Sequence, residues 1–257
     1  MQRLDGQVVA ISGGLGDIAR ATAERLLSEG ARIALLDLDG RGDHPWLSER
    51  GDQVLFIPAD VSQRAQIDDA LGEVMRRFGR LDVFIANAGM VANQPFLAVD
   101  ARSWDDTLRV NLSGAFHCAQ AAARLMVAQP PRANGIRGKV LFTSSWVQDM
   151  PWPEGAAYAT SKAGLKMLAK VMAQELASQG MTVNVLAPGI VMAGLSARIH
   201  AEDPAFRTRV ATAIPLGYMQ DVASVAGAFY FLCSSDSDYM TGATLLVDGG
   251  ASLVRRD

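Results

Sequence analysis

Residues 8–20 read VVAISGGLGDIAR, an apolar run that leads directly into a glycine-rich turn. The aliphatic, largely β-branched run is typical of a buried strand. After it, Gly14, Gly16 and Ala19 follow the G-x-G-x-x-A spacing, in which small residues allow a tight turn and close approach to a pyrophosphate. The helix that begins at this turn would offer free amides to phosphate groups. By itself the motif is equally compatible with a plain strand-to-helix turn.

The rest of the chain repeats this alternation of strand and helix. The apolar runs do not alternate with polar residues, so both faces of their strands are expected to be buried, as in a parallel sheet covered by helices. Between them, residues such as Gln66–Phe78 place apolar side chains at the 3–4 spacing of one helical face. The pattern predicts a doubly wound, seven-stranded parallel sheet (a Rossmann fold) with helices on both faces. The seven runs are Val8–Ser12, Ile33–Asp37, Val54–Pro58, Val83–Ala86, Val140–Ser144, Val183–Ala187 and Thr244–Val247.

Composition narrows the class of protein. The 257 residues are 49% hydrophobic and 20% charged with a net charge of −3, which excludes a disordered chain and disfavours a nucleic-acid-binding face. Two cysteines cannot form a disulfide framework, and the three dispersed histidines show no metal-binding spacing. No run approaches the roughly 18 apolar residues of a membrane helix, and no signal peptide is evident, which favours the cytoplasm. The breaker cluster Pro130–Gly135 is interpreted as a surface loop, so residues 1–257 are predicted to form one domain.

Two aspartates follow predicted strands on the nucleotide side. Asp37 closes the second strand, 21 residues beyond Gly16, near the spacing expected for an acid that hydrogen-bonds the adenosine ribose. A carboxylate there would repel a 2′-phosphate, which favours NAD over NADP. Asp60 follows the third strand, where the adenine should lie. The alternatives are a solvated turn aspartate for Asp37 and a helix N-cap for Asp60.

Tyr158 and Lys162 lie four residues apart near the start of a predicted helix, and therefore on one face of it. An unperturbed phenol, with a pKa near 10, is a poor base at neutral pH, and a neighbouring ammonium would lower that pKa. Ser145 ends the fifth predicted strand, so its hydroxyl could meet the phenol over one substrate oxygen. The alternatives are a surface pair on an amphipathic helix for Tyr158 and Lys162 and a turn serine for Ser145.

Taken together, these motifs resemble the single-domain short-chain dehydrogenase/reductase family. The match extends from Leu4 to Gly250. The motifs that carry it, in chain order, are the glycine-rich turn, Asp60-Val61, Asn87-Ala88-Gly89, Asn111, Ser145, Tyr158 with Lys162, Pro188-Gly189 and Val247-Asp248-Gly249-Gly250.

The resemblance implies a role for each matching position. Tyr158 would be the general acid/base, Lys162 would lower its pKa and bind the nicotinamide ribose, Ser145 would hold the substrate oxygen, and Asn111 would bind a relay water. It also implies a homotetramer. The residues implied to bind NAD are Gly13, Gly14, Gly16, Asp17, Ile18, Asp37, Asp60, Val61, Asn87, Ala88, Gly89, Tyr158, Lys162, Pro188, Gly189 and Val191.

Two departures from the family pattern concern the cofactor. The middle glycine of the family's Thr-Gly-x-x-x-Gly-x-Gly turn is Asp17, whose carboxylate would be unfavourable beside a pyrophosphate unless it points elsewhere. Ala193 stands where a threonine often reaches the carboxamide, which removes one hydrogen bond of about 0.5–1.5 kcal/mol.

The substrate is the least determined part of the interpretation. Residues 190–215 should form a mobile flap over the site, with Met192, Leu195 and Ile199 facing inward. Tryptophans and methionines near the site favour an apolar or ring-bearing secondary alcohol or ketone, although neighbouring polar residues leave a polyol or sugar open. The predicted substrate contacts are Ser145, Val147, Trp152, Tyr158 and Met192.

The functional prediction is an NAD(H)-dependent alcohol dehydrogenase or carbonyl reductase. Asp17 and Ala193 motivate one alternative, an NAD-binding regulator of the same fold with weak or no turnover. A methyltransferase with a similar glycine-rich turn is a third reading, but it has no use for Tyr158 and Lys162.

Overall fold

The structure, a computed structural model, describes residues 4–38 and 44–253. Seven parallel strands form one sheet in the order β3-β2-β1-β4-β5-β6-β7, which confirms the predicted α/β, doubly wound architecture. Both ends of the predicted 1–257 domain lie outside the described residues. The strands are β1 (Val8–Ser12), β2 (Arg32–Asp37), β3 (Val54–Pro58), β4 (Val83–Ala86), β5 (Gly138–Thr143), β6 (Met181–Pro188) and β7 (Thr244–Val247).

Helices cover both faces of this sheet. One face packs against α3, α5 and α6, and the other against α1 and α9, each through its own cluster of buried apolar side chains. The helices are α1 (Asp17–Ser28), α2 (Pro45–Ser48), α3 (Arg64–Phe78), α4 (Ala101–Leu108), α5 (Ala115–Ala128), α6 (Ala156–Leu176), α7 (Gly194–Glu202), α8 (Pro204–Ala213) and α9 (Val222–Cys233).

The strand order reverses in the middle of the sheet. The chain builds β1, β2 and β3 outward in one direction and then returns to place β4 on the other side of β1. The loops that leave the carboxyl ends of β1 and β4 therefore diverge, and they open a crevice at this edge. Doubly wound sheets bind their ligands at such a point.

One predicted helix is interrupted. The Ala-rich sequence of residues 103–128 predicts one long helix, whereas in the structure α4 and α5 are joined by the π-helical segment Arg109–Gly114. Gly114 in that segment lies against Val61, where an added Cβ would be 2.7 Å from a Val61 methyl carbon. The π segment carries Asn111, and such segments are frequent at functional sites.

Both cysteines lie in the apolar layers. Cys118 on α5 and Cys233 on α9 are fully buried free thiols, and burial raises the pKa of each to about 12. Within the described ranges, no helix is both long and apolar enough to cross a membrane. No group of three or more His, Cys, Asp and Glu side chains in those ranges could hold a metal ion.

Candidate active site

A cavity of about 840 Å³ runs along the carboxyl edge of the sheet at the strand reversal. Its size is that of a small-molecule or cofactor site. Most of the residues predicted from sequence meet around it. Those that line it are Gly13, Gly16, Asp17, Ile18, Asp37, Asp60, Val61, Asn87, Ala88, Gly89, Ser145, Tyr158, Lys162, Pro188, Gly189 and Val191.

The glycine-rich turn forms one end of this cavity. Gly13 has a φ of +64°, and an added Cβ would lie 2.8 Å from the Ala88 Cα, so only glycine fits the close approach of β1 and β4. Gly16, the N-cap of α1, has no side chain to cap the first amides of the helix, which therefore remain available to an anion. The turn fits a pyrophosphate.

Gly14, a predicted cofactor contact, lies apart from the cavity lining. Gly14 faces β2, where an added Cβ would lie 2.6 Å from the Leu35 Cβ, and it does not line the cavity. Its role is to let the turn pack closely on the sheet.

The two aspartates lie on the same cavity. Asp37 accepts hydrogen bonds from the amides of Leu15 (2.9 Å) and Leu38 (2.8 Å), which fixes its carboxylate beside the glycine-rich turn. Asp60 accepts from the amide of Ser62 at 2.9 Å. Because α3 begins at Arg64, Asp60 stabilises the turn before that helix and is not its N-cap.

Hydrogen bonds of the Asn87 side chain connect the carboxyl ends of β1, β4 and β5. Its side-chain amide donates to the carbonyls of Ser12 (3.2 Å) and Gly13 (3.3 Å), and its side-chain oxygen accepts from the Thr143 hydroxyl at 3.1 Å. The carbonyl of Thr143 in turn accepts from the Lys162 ammonium at 2.8 Å. One chain of hydrogen bonds thus joins the glycine-rich turn to Lys162. Thr143 could not be identified from the sequence, because its contact with Lys162 is made by a backbone carbonyl, which any residue carries.

Ser145, Tyr158 and Lys162 come together at the other end of the cavity. Ser145 and Tyr158 line the cavity together, and the Ser145 side chain is close enough to act on the pKa of the Tyr158 phenol. The ammonium nitrogen of Lys162 lies 5.5 Å from the centre of the Tyr158 ring, one helical turn along α6. The three side chains therefore surround one space.

The pKa values of this group differ from the sequence-based expectation. Burial raises the pKa of Tyr158 above its usual 10, and the neighbouring Ser145 side chain offsets this only in part. In the protein without cofactor, Lys162 therefore does not produce the predicted lowering of the Tyr158 pKa. Burial also lowers the pKa of Lys162 from 10.5 to about 8, because a desolvated ammonium is unfavourable.

Asn111, predicted to bind a relay water, does not line the cavity. Its side-chain amide donates to the Met90 carbonyl (2.9 Å) and the Ser161 hydroxyl (3.2 Å), and its oxygen accepts from the Met90 amide (2.8 Å). A Cβ added to Gly89 would touch both this oxygen and the Lys162 nitrogen. Asn111 thus supports the Gly89-Met90 wall from behind.

A second cavity, of about 270 Å³, adjoins the first and shares Ser145 and Tyr158 with it. The predicted contacts Val147 and Trp152 line it. Met192, a predicted substrate contact, lines neither cavity and is 40% exposed. The other lining residues include Val91, Asn93, Trp146, Leu195, Ser196, Ile199 and Phe206.

The carboxylate of Asp17, which lines the cavity, is held by two donors from the protein. One carboxylate oxygen accepts from the amide of Gly194 and the other from the guanidinium of Arg20, each at 2.9 Å. The hydrogen bond from Gly194, with a smaller contribution from Arg20, lowers the pKa of Asp17 despite partial burial. The departure from the family's glycine is therefore accommodated in this fold.

The lowered pKa of Lys162 predicts a pH-dependent stability. Between pH 7.5 and 9.5 folded Lys162 loses its proton while the unfolded side chain, with a pKa near 10.5, keeps it. The unfolded state then binds more protons, so the free energy of unfolding rises by about 2 kcal/mol from this group. Urea denaturation at both pH values should show the increase in the wild type and its loss in Lys162→Met. Parallel changes in the two proteins would contradict the burial of a charged Lys162.

A doubly wound sheet with a glycine-rich turn at one end of its crevice, and a serine, a tyrosine and a lysine at the other, defines a nucleotide-binding oxidoreductase. Comparison with known proteins agrees with this class. The family model described as enoyl-(acyl carrier protein) reductase matches residues 14–252. The chain belongs to the short-chain dehydrogenase/reductase family, whose members use a nicotinamide cofactor.

Similar proteins include several dehydrogenases. The short-chain dehydrogenase/reductase eriH of Hericium erinaceus is 32% identical over 95% of this chain and 96% of its own length. The 3beta-hydroxysteroid dehydrogenase 1 of Eggerthella lenta is 33% identical over 97% and 95%. A gluconate 5-dehydrogenase from Burkholderia cenocepacia, solved in complex with NADP and tartrate, is 32% identical, covers 98% of both chains and superposes with a TM-score of 0.89.

Proposed function

We propose that this protein is an NAD(H)-dependent oxidoreductase that transfers a hydride between a secondary alcohol or ketone and nicotinamide, with Tyr158 as general acid/base. The observation that carries the proposal is that Ser145 and Tyr158 line both cavities. A group that must act on substrate and lie beside a cofactor belongs at this junction. Lys162, which lines the larger cavity, completes the set.

Each residue then has a defined task. When bound, the nicotinamide supplies the hydride acceptor or donor. Ser145 donates a hydrogen bond to the substrate oxygen, and Tyr158 exchanges a proton with that oxygen. Because its pKa is raised, Tyr158 is protonated at neutral pH, which suits proton donation to a ketone. Alcohol oxidation requires the phenolate and is therefore favoured at alkaline pH.

The choice of NAD rests on Asp37. Its carboxylate lines the cavity beside the glycine-rich turn, where it can accept from ribose hydroxyls and would repel a 2′-phosphate. Among the described residues that line this cavity, the cations are Arg109 and Lys162. Arg109 is bonded to Ser62 and Asp106, and Lys162 to the Thr143 carbonyl. The NADP bound in the solved gluconate 5-dehydrogenase of Burkholderia cenocepacia is a property of that protein and is not transferred to this one.

The smaller cavity supports a neutral, apolar, ring-bearing substrate. Aromatic and aliphatic side chains dominate its lining, with Trp146 and Trp152 packed edge to face at 5.4 Å. None of the described residues that line it is charged. An apolar site without a cation is costly for a carboxylate, because an unpaired buried charge loses its hydration. A ring ketone therefore fits better than a sugar acid.

A substrate panel with NADH tests this function. We expect kcat/KM for neutral cyclic ketones to exceed that for a keto sugar acid by about 100-fold, since the carboxylate would lack a partner. Trp152→Ala should lower kcat/KM for cyclic ketones about tenfold and affect a four-carbon ketone much less, because only the ring reaches Trp152. A preference for the sugar acid would contradict the proposed substrate class. Tight NADH binding without any turnover would instead favour the regulator.

We also propose that the protein assembles as a homotetramer. On α5 and α6, Phe116, Met167 and Val171 are between 40% and 60% exposed. Large exposed apolar side chains on adjoining helices are typical of protein–protein contact surfaces. They support helix-to-helix contact between copies of the chain.

A further inference from the structure

We propose that Asp17 is a positioning residue that holds the flap, residues 190–215, against the cofactor-binding turn by capping α7 from across the cleft. The proposal deepens the proposed function, but only its kinetic consequence rests on that function. Its structural content concerns the protein without cofactor.

The cap of α7 is supplied by another helix. Its N-cap residue, Ala193, has no polar side-chain atom, so the helix has no local cap. The amide of Gly194 instead donates to the carboxylate of Asp17 at 2.9 Å, across 177 residues of sequence. Asp17 is the first residue of α1 and follows the glycine-rich turn directly. This single hydrogen bond joins two elements that line the same cavity.

Packing holds α7 only weakly. None of the residues of α7 is buried, and α8 buries only Val210. Segments with little buried apolar contact open most readily, so a single polar contact weighs heavily there. The hydrogen bond to Asp17 is therefore expected to decide how often α7 leaves the cleft.

The root of the flap is anchored differently. The Met192 amide donates to the Gln220 carbonyl at 2.8 Å, and the Gln220 amide donates to the Ile190 carbonyl at 2.9 Å. These backbone hydrogen bonds fix the chain up to Met192. The flap can move independently only beyond that point, which is where Asp17 makes its contact.

The negative charge of the Asp17 carboxylate is also kept from repelling a bound phosphate. Arg20, one turn along α1, donates to the second oxygen of Asp17 at 2.9 Å and compensates its charge. A glycine at this position could not reach the flap. The aspartate thus provides a contact that the family's usual residue lacks.

Hydrogen–deuterium exchange of the cofactor-free protein tests this role. Asp17→Ala should raise exchange in residues 194–202 about fivefold, the effect of losing one helix cap. Asp17→Asn keeps an acceptor oxygen and should retain wild-type protection. Arg20→Gln leaves the Asp17–Gly194 hydrogen bond in place and should also exchange as the wild type. Asp100→Ala removes a comparable cap on α4, at 2.8 Å from Ser103, and should leave α7 unchanged.

Two exchange results would overturn the proposal. One is wild-type exchange of α7 in Asp17→Ala. The other is equally fast exchange in Asp17→Asn and Asp17→Ala, because the lost charge, and not the hydrogen bond, would then be responsible. Neither measurement needs an active enzyme, so they remain decisive even if the proposed reaction is wrong.

The kinetic consequence separates positioning from chemistry. Asp17→Ala should raise KM for the ketone by the factor by which the closed population of the flap falls, at most about fivefold, and leave kcat within about twofold, because the flap still closes over the same groups. Asp17→Asn should restore the wild-type KM. A fall in kcat at unchanged KM would contradict a positioning role.

Discussion

Tyr158→Phe is expected to lower kcat for ketone reduction by about 100- to 10,000-fold, the usual contribution of a general acid or base. The substitution removes only the phenolic hydroxyl, at the junction of the two cavities that Ser145 also lines. The ring and its packing remain. NADH binding, measured by fluorescence titration, should therefore stay close to wild type while turnover collapses.

The control for this variant is Tyr230→Phe. Tyr230 lies on α9, where its ring packs under the Arg25 guanidinium at 4.3 Å, remote in the fold from the two cavities. Loss of that hydroxyl should leave kcat unchanged. If Tyr158→Phe kept more than half of wild-type turnover, Tyr158 would not be the acid/base.

The second large effect concerns cofactor choice. The wild type is expected to prefer NADH over NADPH by about 100- to 1000-fold in kcat/KM, because placing a phosphate beside the Asp37 carboxylate costs several kcal/mol. Asp37→Asn keeps an acceptor for the Leu15 amide but removes the charge, and should reduce the preference to less than about tenfold. Steady-state kinetics with both cofactors measure the ratio directly.

Asp60→Asn provides the comparison. Asp60 lines the same cavity and bonds the Ser62 amide, so its substitution should change kcat/KM for both cofactors alike and keep their ratio. A wild type that favoured NADPH, or a ratio unaffected by Asp37→Asn, would show that Asp37 does not select the cofactor.

The sheet could be predicted from the sequence because the signal is local. Strands buried on both faces are continuous apolar runs, and the predicted bounds of β1, β3, β4 and β7 agree with the structure. The glycine-rich turn and the four-residue spacing of Tyr158 and Lys162 are likewise local. Once the topology is parallel, strand ends meet at one edge, so Ser145 could be placed beside Tyr158.

Features that depend on contacts distant in sequence could not be predicted. The direction of Asp17 depends on Gly194, and the pKa of Tyr158 depends on how deeply α6 is buried. Met192 follows the same apolar pattern as Leu195, yet only Leu195 lines the cavities, because the backbone after Val191 bonds to Gln220. Helical periodicity also carries no sign of the π segment around Asn111.

The reversal of strand order at β1 and β4 separates the residues proposed to select the cofactor from those proposed to select the substrate. Asp37 and Asp60 lie at the carboxyl ends of β2 and β3, on one side of β1, whereas Ser145, Val147 and Trp152 come after β5, on the other side. Substitutions that retune the coenzyme and those that retune the reacting compound therefore fall on opposite halves of the sheet. During evolution, a few substitutions could therefore change either the cofactor preference or the substrate preference. The other half of the sheet and the residues of proton transfer would stay unchanged.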